Sequence, residues 1–184
     1  PATAPTAAVA ASDAAEGGTL RILLAINAAM FAVEIVAGWL AESTGLIADS
    51  IDMLADALVY GLALQAVGKA ATAKLRAAHA SGLFQALLAA GVLADVLRRF
   101  VTGSQPEPPA MIGISLLALA ANVTCLLLIA RHRHGGAHMK ASWIFSTNDV
   151  LANLGVIAAG ALVALTGSRL PDLLIGAAVA LLVF

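Results

Sequence analysis

The stretch LIADSIDMLADALVYGLAL, residues 46–64, decides how this chain is interpreted, because it places three carboxylates inside an otherwise apolar run. These are Asp49, Asp52 and Asp56, spaced i, i+3 and i+7, so on a helix they share one stripe. An Asp at the centre of a membrane-spanning helix costs about 2.5–3.5 kcal/mol on insertion scales. Such acids therefore normally face a partner, a cavity or a transport path.

The composition of the whole chain places this stretch in a membrane protein. Of the 184 residues, 61% are hydrophobic and 11% are charged, and the mean hydropathy is +0.95. A soluble domain is nearer half apolar and a quarter charged. The net charge of −1 argues against nucleic acid as a partner, because phosphate binding requires a basic surface. Cys125 is the single cysteine, so the chain forms no internal disulfide.

Six apolar segments are separated by turn-rich sequence, and a membrane span needs about 20 mostly apolar residues. The sequence therefore predicts an all-α integral membrane bundle. Residues 1–18 lack large apolar side chains and are predicted to form a disordered N-terminal tail. Residues 19–184 are predicted to form a six-helix transmembrane transport domain, with helices at about 20–40, 46–68, 79–102, 111–131, 142–166 and 171–184.

The last predicted span is short. From residue 171 to Phe184 it has 14 residues, about 21 Å of helix against a bilayer core of about 30 Å. Either the helix spans a thinned membrane or the natural chain continues past Phe184, and we favour the second interpretation.

Lysine and arginine in the connecting loops indicate the direction of the spans. The loops after the second and fourth spans carry Lys69, Lys74, Arg76, Arg131, Arg133 and Lys140. The loops after the other spans carry only Arg98, Arg99 and Arg169. We therefore expect both termini to face the cytoplasm. We also expect a multi-pass protein of a cell membrane, namely the inner membrane of a bacterium.

The fifth span, WIFSTNDVLANLGVIAAG at residues 143–160, offers a second acidic face. Asp149 is its single acid. The polar residues beside it or on its face are Ser146, Asn148 and Asn153. If this face meets the second span, Asp52, Asp56 and Asp149 form a three-carboxylate site. A divalent cation relieves the repulsion among such carboxylates best, because it neutralises two at once.

Other spans also carry polar residues at membrane depth, namely Asn27 and Glu34 on the first and Asn122 on the fourth. This distribution suits an ion pathway, for metal or protons, better than a single polar contact between two helices. Structural interpretations stay open for part of the set. Glu34 serves equally well as a buried group that orders the bundle, and Asp49 as a helix cap. Asn122 and Ser146 are residue types that commonly pack helices together.

Two charged segments have simpler interpretations. Asp95 precedes Arg98 and Arg99 by three and four residues, so we expect a salt-bridged end of the third helix. The segment RHRHGGAHMK, residues 131–140, holds three histidines in a predicted cytoplasmic loop. A loop that collects metal is one interpretation and an ordinary basic loop is the other, for His132, His134 and His138.

Together these features resemble the cation diffusion facilitator family of divalent-metal transporters. The resemblance covers about residues 20–184. It rests on Asn27 and Glu34 and on three segments: STGLIADSIDMLADAL, ANVTCLLLIARHR and NDVLANLGVIAAG. In that family two residues four apart on the second helix and two residues four apart on the fifth helix bind the metal. Carried to this chain, the resemblance implies the metal ligands Asp52, Asp56 and Asp149.

The chain departs from the family pattern in two places. Phe145 stands four residues before Asp149, where the family usually has His or Asp. A fourth ligand must then come from Ser146, Asn148, water or another helix. The family also usually carries a soluble metal-binding domain after the sixth helix. The resemblance thus implies a short form lacking this C-terminal cytoplasmic domain, and a homodimer becomes a weaker inference.

The resemblance implies a divalent metal/proton antiporter that exports metal from the cytoplasm by alternating access within membrane lipid, and not an enzyme. Without metal, repulsion among the carboxylates favours their protonated forms, so protons and metal compete for the same oxygens. Family precedent ranks Zn²⁺ first as the transported ion. Cd²⁺ is an alternative as the common companion of Zn²⁺ in the family, and Mn²⁺ or Fe²⁺ are alternatives because an all-oxygen site without His favours them.

Two other classes fit part of the pattern. Metal-dependent, membrane-embedded lipid-phosphate transferases also cluster Asp residues at membrane depth. They additionally require an Asp-Gly and an Ala-Arg beside the cluster, and this sequence has neither there. The second of these two classes is a structural scaffold whose acids are simply protonated.

Overall fold

A computed structural model of the protein describes residues 7–66, 71–130 and 137–183. Within these ranges the regular structure consists of six helices and contains no strand, which confirms the predicted all-α membrane bundle of six helices. The helices are α1 (Ala7–Leu40), α2 (Thr44–Ala66), α3 (Ala71–Thr102), α4 (Pro108–Ala130), α5 (Ala137–Thr166) and α6 (Leu170–Val183).

All six helices begin earlier than the sequence predicts, and α1, α3 and α5 do so by five residues or more. Helix α1 covers residues 7–18, which belong to the segment predicted to be a disordered tail; this part is rich in Ala, the strongest helix former. Helices α3 and α5 also begin before residues 79 and 142. High hydropathy marks only the length of a helix that lies within the membrane, whereas the backbone hydrogen bonds of the helix continue into its polar flanks. His138 therefore belongs to the first turn of α5 and not to a loop.

Helix α2 is the centre of the bundle. It packs against each of the other five helices. Among the described residues these five form an incomplete ring around it, in the order α1, α4, α5, α6, α3. In the part of the chain that the structure describes, three helices contain segments long and apolar enough to cross a membrane, and α6 adds the shorter apolar segment Leu170–Leu182. These three segments are Gly17–Leu40, Pro108–Ala130 and Ser146–Thr166.

The first turn of α6 caps the first turn of α2. Asp172 is fully buried and accepts hydrogen bonds from the backbone N–H of Thr44 at 2.7 Å and of Gly45 at 2.9 Å. The Ser43 hydroxyl donates to the same carboxylate at 2.7 Å and accepts from the backbone N–H of Leu46 at 3.2 Å. A carboxylate from one helix thus neutralises the positive end of another and uses its otherwise unpaired N–H groups.

The backbones of α2 and α6 come unusually close at this end. A Cβ added to Gly176 would lie 2.9 Å from the carbonyl carbon and oxygen of Thr44, so no larger residue fits there without moving a helix. One turn before it in α6, Asp172 makes the cap described above. The glycine permits the close approach, and the carboxylate holds it.

The predicted salt-bridged end of α3 is confirmed. Asp95 pairs with Arg98 at 2.6 Å and with Arg99. Arg99 also donates to the backbone carbonyl of Glu42 in the turn between α1 and α2. The backbone N–H of Gln105 in turn donates to the Glu42 carboxylate at 2.9 Å. This end of α3 is thereby tied to the α1–α2 turn.

We expect Asp172→Asn to destabilise the bundle. Asparagine keeps one acceptor oxygen and turns an NH₂ group toward N–H donors, so at least one buried donor loses its partner. Hydrogen bonds to a charged group contribute about 1.5–3 kcal/mol each. Thermal unfolding in detergent should therefore show a clearly lower midpoint.

Glu107→Gln is the matched control, since it makes the same chemical change at an exposed position at the start of α4. It should leave the unfolding midpoint close to that of the wild type. Equal midpoints for Asp172→Asn and the control would contradict the role given to the cap.

Candidate metal centre

The predicted meeting of α2 and α5 acids occurs in the structure. Asp52 and Asp56 of α2 and Asp149 of α5 are all buried. The carboxyl group of Asp149 interacts with those of Asp52 and Asp56. Asp149 therefore faces the interior of the bundle and not the lipid, as the three-carboxylate hypothesis requires.

These three carboxylates line a cavity of about 110 Å³. Since a water molecule occupies about 30 Å³ in the liquid, the cavity has room for a cation with a few waters. Two neutral amide side chains also line it, Asn148 from α5 and Gln85 from α3. The remaining lining is apolar, so the charged groups are concentrated on the α2 and α5 sides.

One carboxylate oxygen at the cavity has no hydrogen-bond partner in the described part of the protein. Asp52 Oδ2 is buried and has no hydrogen-bond partner among the described residues, although Asp149 lies beside it. Ionised carboxylates only accept hydrogen bonds, so two of them do not satisfy each other. A shared proton or a cation resolves this conflict. The Ser146 hydroxyl is buried on α5 and likewise lacks a partner within the described part of the chain.

Tyr60 orients one of the cavity acids. Its hydroxyl donates to Asp56 Oδ2 at 3.1 Å, and the side chain is fully buried. Tyr60 follows Asp56 by four residues, so the two lie on one helix face. This role was not predicted from the sequence, although the i, i+4 spacing of the two residues within residues 46–64 is a usable signal for it.

A second polar cluster lies beside the cavity acids and is held by amides. Asn153 on α5 donates to Asp49 Oδ2 on α2 and accepts from Asn122 on α4 at 3.0 Å. Glu34 on α1 interacts with Asp49 and Asp52, and both its carboxylate oxygens lack a hydrogen-bond partner within the described residues. The cluster thus joins four helices without lining the cavity.

Other predicted site residues fall outside this arrangement. Asn27 donates to the carbonyl of Leu23 at 2.9 Å and contacts Cys125 Sγ at 3.9 Å, and it does not line the cavity. His132 and His134 lie outside the described residues, as do the side chains of His138 and Phe145.

The cavity is not a closed coordination sphere. Within residues 7–66, 71–130 and 137–183, no group of three or more His, Cys, Asp or Glu side chains is already arranged to hold a metal ion. The three acids therefore share a cavity and approach one another without converging on a single point. The unpartnered Asp52 oxygen and the amide groups of the cavity lining still provide oxygen donors of the kind that a divalent cation uses.

Comparison with known proteins gives a family match over nearly the whole chain. The model of the cation efflux transmembrane domain matches residues 20–184. The metal cation efflux system protein CzcD of Cupriavidus metallidurans is 26% identical over 161 residues, 81% of this chain and 51% of CzcD. The zinc transporter ZitB of Pectobacterium atrosepticum is 28% identical over 177 residues, 84% of this chain and 53% of ZitB. The chain thus spans about half the length of these curated relatives.

The Asn122–Asn153–Asp49 chain of hydrogen bonds predicts non-additive substitutions. Asn153→Ala leaves both Asn122 and Asp49 without a partner, and Asn122→Ala leaves Asn153 with an unused acceptor. Each buried unpaired group costs about 1–3 kcal/mol. The double variant removes the Asn122–Asn153 pair together, so its loss of unfolding free energy should be smaller than the sum of the single losses.

The four proteins of this double-mutant cycle are compared by denaturant unfolding in one detergent. A coupling free energy above about 0.5 kcal/mol is expected for residues in one network. Additive losses would contradict a continuous hydrogen-bonded chain from α4 to α2.

Proposed function

The chain belongs to the cation efflux family, and on that basis we propose that it exports a divalent transition-metal ion in exchange for protons. The family and the transporters among its relatives leave no reason to treat it as a lipid-phosphate transferase. The observation that carries the proposal is the meeting of Asp149 on α5 with Asp52 and Asp56 on α2 around one cavity.

The charge of these residues supports a divalent substrate. Three ionised carboxylates together carry −3, and a doubly charged ion reduces this to −1. Without the ion, the same carboxylates repel one another in a medium of low dielectric constant and are relieved by taking up protons. Metal and protons therefore occupy one set of oxygens in turn, which is the physical requirement for antiport.

Zinc is the first candidate for the transported ion, because one relative is named as a zinc transporter. Zinc accepts carboxylate ligands, although it favours nitrogen and sulfur. Mn²⁺ and Fe²⁺ belong to the proposed set, since the polar groups of the described cavity lining are carboxylates and amides. Cd²⁺ completes it as the common companion of zinc in this family.

The setting of the transporter is proposed on the same basis. The protein would lie in the inner membrane of a bacterium with both termini in the cytoplasm, and alternating access would expose the cavity to each side in turn. Glu34, Asp49 and Asn122 would form a buried polar region beside the site, available to protons. Association as a homodimer and a metal-collecting role for the histidines of residues 131–140 are further proposals.

Removing one cavity carboxylate should abolish transport. Asp52→Asn, Asp56→Asn and Asp149→Asn each remove a negative ligand and keep the size of the side chain. In proteoliposomes with a pH gradient we expect Zn²⁺ uptake and the accompanying proton flux to fall to the level of protein-free vesicles. Glu107→Gln is the control, because it removes an exposed carboxylate outside the cavity. Wild-type rates in the three Asp variants would refute the assignment.

Metal binding should also release protons. Carboxylates must be deprotonated to bind metal, so affinity should fall as the pH is lowered and protons reclaim the oxygens. Calorimetric titration with Zn²⁺ in two buffers of different ionisation enthalpy measures the number of protons released. Binding that is independent of pH, with no proton release, would contradict the shared use of the carboxylates. A complete lack of metal binding would favour a structural scaffold.

A further inference from the structure

We propose that Gln85 of α3 is a ligand of the transported ion and a determinant of which divalent cations the site accepts. This inference deepens the proposed transport function and rests on it. Gln85 is the α3 side chain that lines the cavity shared by Asp52, Asp56 and Asp149.

The number of available donors points to Gln85. Three carboxylates supply one oxygen each if they bind singly, whereas Zn²⁺ takes four ligands and hard octahedral ions take six. The cavity lining described in the structure adds two polar side chains, Asn148 and Gln85, and the others are Ala55, Val59 and Leu182. Ligands beyond the carboxylates therefore come from these two amides and from water.

Gln85 belongs to a helix, α3, that carries none of the three cavity acids. Among the described residues α3 contacts α2 and α6 and makes no contact with α5. The acids stand on α2 and α5, so Gln85 approaches the cavity from a third side. Its side chain is half-buried and makes no hydrogen bond within the described part of the chain. The amide is thus available to whatever occupies the cavity.

The chemistry of an amide suits both states of the transport cycle. Glutamine carries a carbonyl oxygen that accepts and an NH₂ group that donates. Without metal, the NH₂ group can donate to a neighbouring carboxylate; with metal, rotation of the amide presents the oxygen to the ion. Because the amide is neutral, the charge of the occupied site stays at −1.

The same chemistry defines the class of cation. Carboxylate, amide and water oxygens form the ligand set preferred by Mn²⁺ and similar oxygen-seeking ions, whereas Zn²⁺ gains more from imidazole or thiolate. An ion that needs more than four ligands depends on Gln85 more strongly than one that is satisfied by four. Gln85 should therefore support Mn²⁺ more than Zn²⁺.

The test compares Gln85→Leu and Gln85→His with the wild type in proteoliposomes, using Zn²⁺ and Mn²⁺ in separate assays. Gln85→Leu removes a ligand and should lower the apparent affinity for Mn²⁺ by about tenfold or more, as loss of groups supporting a metal site does, with a smaller effect on Zn²⁺. Gln85→His supplies imidazole nitrogen and should raise the Zn²⁺/Mn²⁺ ratio. Gln105→His is the matched control, because Gln105 is exposed in the α3–α4 connection.

A binding measurement keeps the test independent of transport. Pulsed electron paramagnetic resonance of Mn²⁺ bound to Gln85→His should show coupling to imidazole nitrogen, and the wild type and Gln105→His should not. Absence of that coupling, an unchanged Zn²⁺/Mn²⁺ ratio in both Gln85 variants, or failure of the wild type to bind Mn²⁺ overturns the proposal. These failures are distinct from failure of the transport function, which appears as unchanged Zn²⁺ transport in Asp52→Asn.

Discussion

The structure depends on one constraint: the carboxylates of α2 must be kept away from lipid. A charged group at membrane depth is tolerated only where it faces protein, water or a counter-ion. Helix α2 meets this constraint by packing against all five other helices, which carry the large exposed apolar side chains. Its acids can then face the interior along one stripe. The central position of α2 therefore follows from its sequence and determines where the other helices lie.

The buried polar residues separate into two layers with different physical states. In one layer Asn153 donates to Asp49 and accepts from Asn122, so amides fix the carboxylate and join α2, α4 and α5. In the cavity layer, among the described residues, no side-chain amide donates a hydrogen bond to Asp52 or Asp149, and Oδ2 of Asp52 has no hydrogen-bond partner. The first layer stabilises the helix arrangement. The second retains the unpartnered carboxylate oxygen on which the proposed exchange of a cation for protons depends.

Spacing within single helices predicted much of this site, because a helix fixes which residues share a face. The stripe of α2 acids and the inward position of Asp149 follow from periods of three and four residues, as does the salt bridge at Asp95. Contacts between helices left no such periodic signal. Gln85 reaches the cavity only because α3 packs on α2, and Asp172 caps a helix more than a hundred residues away in the chain. Neither role was therefore predicted from the sequence.

The cap formed by Asp172 joins α2 and α6 by hydrogen bonds at one end of their contact. Asp172 and Gly176 fasten the two backbones at one end of α6, while Leu182, about 15 Å further along the helix, borders the cavity. Further along the pair, the contacts of α6 with α2 are apolar, through Val179 and Ala180. Apolar contacts are non-directional and tolerate small shifts better than hydrogen bonds. A small change in the angle between the two helices would therefore alter the width of the cavity while the hydrogen bonds of Asp172 stay intact.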